Sequence, residues 1–226
     1  MRDLSKITIV IQMILAVPFI IIFAGVMLFI PAGTIDWIEG WIYILLLIVY
    51  YLTMTIYLII KDPSTLRKRK KLSTSKIENF FLVILGLLFF PLIIMPGFDY
   101  KFQWTQLPSL VRIIGFFGLV FSYIINFWVM KVNSYASKAL IIHENHIAIT
   151  IGPYGIVRHP MYVSFILLAF STPIALGSLV SILLAIPIPF LLVFRIRKEE
   201  EMLKKNLSSY IEYTEKVRYR LIPKIW

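Results

Sequence analysis

The chain contains no cysteine, which excludes disulfides, thiolate metal sites, cysteine nucleophiles and iron–sulfur clusters held by thiolates. Charge is scarce as well: 15% of the 226 residues are Asp, Glu, Lys or Arg, against about 25% in a soluble domain. Nor is there a Gly-x-Gly-x-x-Gly turn of the kind that cradles a dinucleotide, an internal repeat, a low-complexity stretch or an interdomain linker. What fills the chain is apolar residue, 59% of the total. The alternating polar faces of a water-soluble domain are missing from most of the first 200 positions, so the bilayer is the expected solvent and residues 1–226 the expected single integral membrane domain.

Crossing a bilayer takes about 20 apolar residues in a helix. Runs that approach or exceed this occur at Ile7 to Ile30, Trp41 to Ile60, Phe80 to Gly97 and Ile113 to Met130. After a polar interval come Met161 to Leu176 and, past Gly177-Ser178, Leu179 to Phe194, which read as a tight helical hairpin. The first run is long for a signal peptide and has no small-residue cleavage site, so it reads as a membrane helix. The expected fold is thus all-α, with about six transmembrane helices, a small cytoplasmic cap and a C-terminal helix. Six crossings put 21 of the 23 basic residues on one side, leaving only Lys101 and Arg112 opposite. The positive-inside rule makes the crowded side, with both termini, cytoplasmic. The net charge of +11 is then mostly topology rather than a nucleic-acid surface. The run Arg67-Lys68-Arg69-Lys70-Lys71 fits the same rule, with attraction to anionic headgroups as the alternative.

Chemistry concentrates in two places on that side. Between Asn133 and Tyr162, the residues Ala139 to Ile142 and Ile147 to Ile149 read as two short strands around His143-Glu144-Asn145-His146, a small hairpin on the membrane face. The spacing of His143, Glu144 and His146 does not match the helical zinc signature, so no metal is expected. Pro160 suits the first position of a helix, setting Arg158 and His159 at a helix N-terminus able to receive an anion or to anchor at lipid phosphates. In the second place Arg195 and Glu199 stand four apart on one face of a helix leaving the bilayer, either as a solvated ion pair or as a grip on an anionic headgroup.

Taken together, Gly152-Pro153-Tyr154, Arg158-His159-Pro160-Met161-Tyr162, Arg195 four before Glu199-Glu200, then Leu203, Tyr210, Tyr213, Val217 and Leu221-Ile222-Pro223 resemble the isoprenylcysteine carboxyl methyltransferase family over about the last 95 residues. The resemblance implies an integral membrane enzyme using S-adenosyl-L-methionine, with residues 1–132 as scaffold helices and 133–226 binding cofactor and substrate. Cofactor contacts fall on His146, Ile147, Ala148, Ile149, Tyr154, His159, Pro160, Met161, Tyr162 and Glu199. Arg195 matches the substrate-binding residue, and Arg195 and His159 are the expected catalytic groups. Two positions depart from the family pattern: Ala139 stands where a Gln is frequent, and Leu207-Ser208 where a Phe-Gly pair is usual.

The implied reaction is carboxyl O-methylation of a prenylated cysteine or a similar lipid-tailed carboxylate entering from the bilayer. A carboxylate is ionised at neutral pH and needs orientation rather than a base, and Arg195 suits an anion. An amine or thiol acceptor, as in phospholipid N-methylation or thiol S-methylation, would instead require a base, for which His146, His159 or a glutamate is present. A sterol-type membrane reductase and a non-enzymatic lipid-binding scaffold or transporter are the remaining alternatives; a transporter would show more polar groups at mid-bilayer than Ser122, Asn126 and a few threonines.

Overall fold

A computed structural model describes residues 2–61, 76–133 and 148–226, with side chains described from residue 14 in the first helix and from residue 80 in the third. Helices α1 (Arg2–Ala32), α2 (Ile38–Lys61), α3 (Lys76–Phe102) and α4 (Ser109–Val132) are followed by a 3-10 turn (Gly152–Gly155). Then come α5 (Pro160–Ala175), α6 (Leu179–Ala185), α7 (Pro187–Asn206) and α8 (Ser208–Lys216). No strand occurs among the described residues. Nearly all of the hairpin expected between Ala139 and Ile149 lies outside them, as does the basic run at 67–71; Ala148 to Thr150 are irregular.

Five helices are long and apolar enough to cross a membrane, over Ile14–Ala32, Ile38–Lys61, Phe80–Phe102, Ser109–Val132 and Leu179–Asn206. The protein is therefore an all-α integral membrane protein. The fifth is formed by α6 and α7, separated by Ile186 just before Pro187. The sixth expected span, Met161 to Leu176, is α5, a helix of 16 residues. At a rise of about 1.5 Å per residue it extends about 24 Å, short of a hydrocarbon core of about 30 Å. It is bounded by Pro160 and by the turn at Gly177, whose φ of 84° falls in the left-handed region that favours glycine.

The scaffold places α5 against α4. Gly115 is the reason they approach closely, since a Cβ there would fall on the backbone of Ile174 and Ala175. Leu28, Trp37, Ile44, Leu119 and Ala175 form a buried core uniting α1, α2, α4 and the end of α5. A second core joins Phe81 and Leu92 of α3 to Tyr162 and Ala169 of α5, to Ala185 of α6, to Ile188, Leu192 and Ile196 of α7, and to Leu221. Many large apolar side chains point outward, among them Phe19, Ile30, Leu87, Phe117 and Phe190, as a lipid-facing surface requires. Between the helices Asn126 Nδ2 donates to Ser164 Oγ (3.1 Å) and Ser122 Oγ donates to the Ser164 carbonyl (2.8 Å), so these polar groups of α4 and α5 satisfy one another.

One end of the bundle is tied by Asp99, which is 1% exposed. It accepts from the Thr105 amide (2.8 Å) and hydroxyl (2.6 Å) and from Ser178 Oγ (2.6 Å). Three hydrogen bonds make this buried carboxylate tolerable and link the α3–α4 turn to the α5–α6 turn. Arg112 pairs with Glu39 near the same end. At the opposite end α5 begins, α7 carries its charged residues, and the candidate site is found.

Candidate active site

Pro160 is the first residue of α5, with His159 as N-cap in non-helical geometry. The chain enters this helix from the 3-10 turn, where Gly152 has φ of 63° and would meet Trp128 and Val132 if it carried a Cβ. The C-terminal segment then pins the entry: the amides of Arg158 and His159 donate to the carbonyls of Tyr219 and Arg220, both at 2.9 Å. The start of α5 is thereby positioned by residues some 60 places later.

Arg195 and Glu199 do share a face of α7, and Tyr162 of α5 joins them. Arg195 Nε donates to the Tyr162 hydroxyl (2.9 Å), which donates to Glu199 Oε2 (2.6 Å). Arg195 is 7% exposed, with its guanidinium carbon 4.6 Å from the centre of the Phe81 ring. It therefore sits well inside the protein, with a cation–π contact replacing part of its hydration. Glu199 is half-buried.

The neighbouring Glu200 lies about 100° further round the helix and meets different partners. Its Oε1 accepts from Arg158 Nε (2.7 Å) and lies 3.2 Å from His159 Nε2, while Oε2 accepts from Arg220 Nε (2.9 Å). Arg158 also donates to the carbonyls of Val217 (2.9 Å) and Arg218 (3.0 Å). The guanidinium of Arg158 is thus turned inward and engaged. His159, also buried, stacks on Tyr162 with ring centres 5.7 Å apart. This network escapes sequence reading: the Glu-Glu pair is visible, yet nothing in it tells which carboxylate faces which neighbour, and Arg220 and Phe81 are remote in sequence.

Tyr154 stands beside α8. Its hydroxyl accepts from Asn133 Nδ2 (2.6 Å) and its carbonyl accepts from Tyr213 (2.7 Å). Ala148, Tyr154 and Leu203 pack on the buried cluster of Leu207, Tyr210, Tyr213 and Val217. Tyr210 carries a buried hydroxyl that has no hydrogen-bond partner among the described residues. Burial, aided by Glu200 and Glu199, pushes that hydroxyl well above the ordinary tyrosine range, so it remains a donor. The structure therefore gathers Tyr162, His159, Arg195 and Glu199 in one place and Ala148 and Tyr154 one helix turn further along α7. Pro160 is buried and Met161 half-buried at the start of α5, and Ile149 lies in the irregular segment before the 3-10 turn. His146, Ile147 and the alternative ligands His143 and Glu144 lie outside the described residues. Among the described residues no cluster of His, Asp and Glu could hold a metal ion.

Residues 113–205 match the isoprenylcysteine carboxyl methyltransferase (ICMT) family. The matched segment spans α4 to the end of α7, so it contains Tyr162, His159, Arg195, Glu199 and Glu200. It starts well before the segment whose motifs resemble the family and stops short of Tyr210 and the C-terminal strap. No curated protein matches the chain significantly. The ICMT match and the membrane-spanning helices together support a membrane methyltransferase.

Proposed function

We propose that the protein transfers a methyl group from S-adenosylmethionine to the carboxylate of a prenylated cysteine or a similar lipid-tailed acid. The observation that carries this reading is the Arg195–Tyr162–Glu199 chain, a buried guanidinium held against an aromatic ring where α7 leaves its apolar stretch, inside the segment that matches the ICMT family.

The residues present fit the cofactor. S-adenosylmethionine has an ammonium and ribose hydroxyls, for which Glu199 is a half-buried acceptor, and other groups that can accept a hydrogen bond from the Tyr210 hydroxyl, which has no partner among the described residues. Ala148, Ile149, Tyr154, His159, Pro160, Met161 and Tyr162 would complete the cradle, with His146 and Ile147 completing it by family resemblance. When bound, it supplies an electrophilic methyl group.

The chain's own part is positioning. Arg195 presents a planar fork that matches a carboxylate. Phe81 and Tyr162 fix the guanidinium, so little side-chain freedom remains to be lost when the anion arrives. Because the acceptor is already ionised, no residue has to remove a proton, and His159, stacked on Tyr162 and held by Glu200, acts by orienting Tyr162. The apolar surface of α7 above Arg195 accommodates the tail in lipid. We place this end of the bundle on the cytoplasmic side by the positive-inside rule.

The test supplies membranes containing the protein with methyl-labelled S-adenosylmethionine and, in parallel, a farnesylated cysteine derivative or phosphatidylethanolamine. Alkali follows, which releases methanol from an ester. Volatile label dependent on the prenyl acid is expected. Alkali-stable label would move the acceptor to an amine or sulfur, and no labelled lipid would remove the methyltransferase reading.

A further inference from the structure

On the other side of α7 from Arg195 lies an open pocket of about 310 Å³ lined by Arg197, Glu200, Glu201, Lys204 and Arg220. Its charge is unevenly compensated. Glu200 is matched by Arg158 and Arg220 on its two oxygens, and Glu201 pairs with Lys198 at 3.2 Å. Arg197 and Lys204 have no such partner among the described residues, so the pocket keeps a cationic excess. Arg220 forms its far wall and is itself held, with its guanidinium carbon 5.1 Å from the centre of the Trp226 ring.

The pocket continues a lipid-facing stripe. Phe190, Phe194, Arg197, Glu201 and Lys204 recur at alternating spacings of four and three, which puts them on one face of the helix. Phe190 is 73% exposed and Phe194 55% exposed, so this face meets acyl chains until Phe194 and turns cationic one turn later. At about 1.5 Å per residue, Arg197 lies about 4.5 Å beyond Phe194, within an interfacial layer about 5–7 Å deep. Lys204 is further out, but helical side chains lean towards the helix N-terminus, which here is back towards the bilayer.

We infer that this pocket binds the phosphate of an anionic phospholipid whose acyl chains lie along Phe190 and Phe194. The headgroup phosphate meets Arg197, Lys204 and Arg220, and the tails stay on the apolar stripe, so one molecule satisfies both halves of the surface. The site is separate from the Arg195 cluster, which faces the opposite way from the same helix.

The test is lipid retention by the full-length protein in detergent, read by native mass spectrometry with phosphatidylglycerol or phosphatidylcholine as the probe. Retention of phosphatidylglycerol over phosphatidylcholine is expected. The double variant Arg197→Gln/Lys204→Gln should weaken it about 30-fold, the effect of two basic residues at a headgroup layer. Lys205→Gln, exposed on the same helix outside the pocket, should leave it unchanged, and both variants keep the basic run at 67–71 as an internal constant. Should the double variant fail to yield folded protein, the exposed single substitution Lys204→Gln carries the comparison, with an expected loss of about five-fold. Equal retention by the pocket variants and the wild type overturns the inference. Displacement of the lipid by millimolar inorganic phosphate would assign the site to soluble phosphate and overturn it likewise. Lipid binding is read without cofactor or turnover, so its outcome is independent of the methyltransferase reading.

Discussion

At the scale of single residues, Glu199 and Glu200 are neighbours in sequence with different tasks. Glu200 is a buried structural anion, and its removal strands Arg158, whose side chain is 5% exposed. Breaking one member of a buried pair costs about 3–5 kcal/mol. Glu200→Ala should accordingly lower the unfolding temperature strongly in a detergent melt, whereas Glu199→Ala should leave the melt nearly unchanged and weaken cofactor binding. Tyr162→Phe removes the link between Arg195 and Glu199 while keeping the ring. A neutral hydrogen bond contributes about 1 kcal/mol, so the fold should persist while kcat falls at least ten-fold as the guanidinium loses its fixed orientation. Tyr210→Phe separates fold from ligand in another way. The hydroxyl it removes is buried and has no partner among the described residues, so the melt should stay level or rise slightly, and calorimetry should show weaker S-adenosylmethionine binding. If binding were unaltered, Tyr210 would have no place in the cradle.

At the scale of elements, hydropathy reveals helices well and partners poorly. The four long helices of the first 132 residues lie where uncharged runs of sufficient length place them, because period and length are local properties. The short α5 was legible as an apolar stretch bounded by Pro160 and Gly177, and Arg195 and Glu199 fall on a shared face because spacing alone decides that. The role of Arg220 was not legible: it reaches Glu200 only because the strap after α8 folds back so that two of its carbonyls accept from the amides of Arg158 and His159, a tertiary event with no periodic signature. Phe81 lies under Arg195 by the packing of α3 on α7, equally invisible to spacing. Close approach of α4 and α5 depends on Gly115, whose missing Cβ lets the backbone of Ala175 come in. Gly115→Ala must force the helices apart, at about 1–3 kcal/mol for an overpacked contact. Thermal unfolding should show that loss, and the cofactor Kd should rise with it because α5 carries Tyr162 and is capped by His159.

At the scale of the whole molecule, the bundle is closed at one end by the buried Asp99 knot and is chemically equipped at the other. On our proposal the equipped end, where the basic residues crowd, faces the cytoplasm by the positive-inside rule. Because the chain has no cysteine, single reporters can be introduced at exposed sites without background. Gln103→Cys, at the Asp99 end, and Lys204→Cys, at the equipped end, should react with a membrane-impermeant thiol reagent from opposite sides of sealed vesicles. Labelling of both from one side would contradict the placement of the two ends on opposite faces of the membrane.

The central claim is that Arg195 holds a lipid-tailed carboxylate for methylation. It is tested most directly by single-turnover ester formation on a prenylated cysteine acid at saturating S-adenosylmethionine, comparing the wild type with Arg195→Gln. Base-labile ester is expected from the wild type and a loss of at least a hundred-fold in the variant, with cofactor binding retained. Equal ester formation by the two proteins, or none by the wild type, would contradict it.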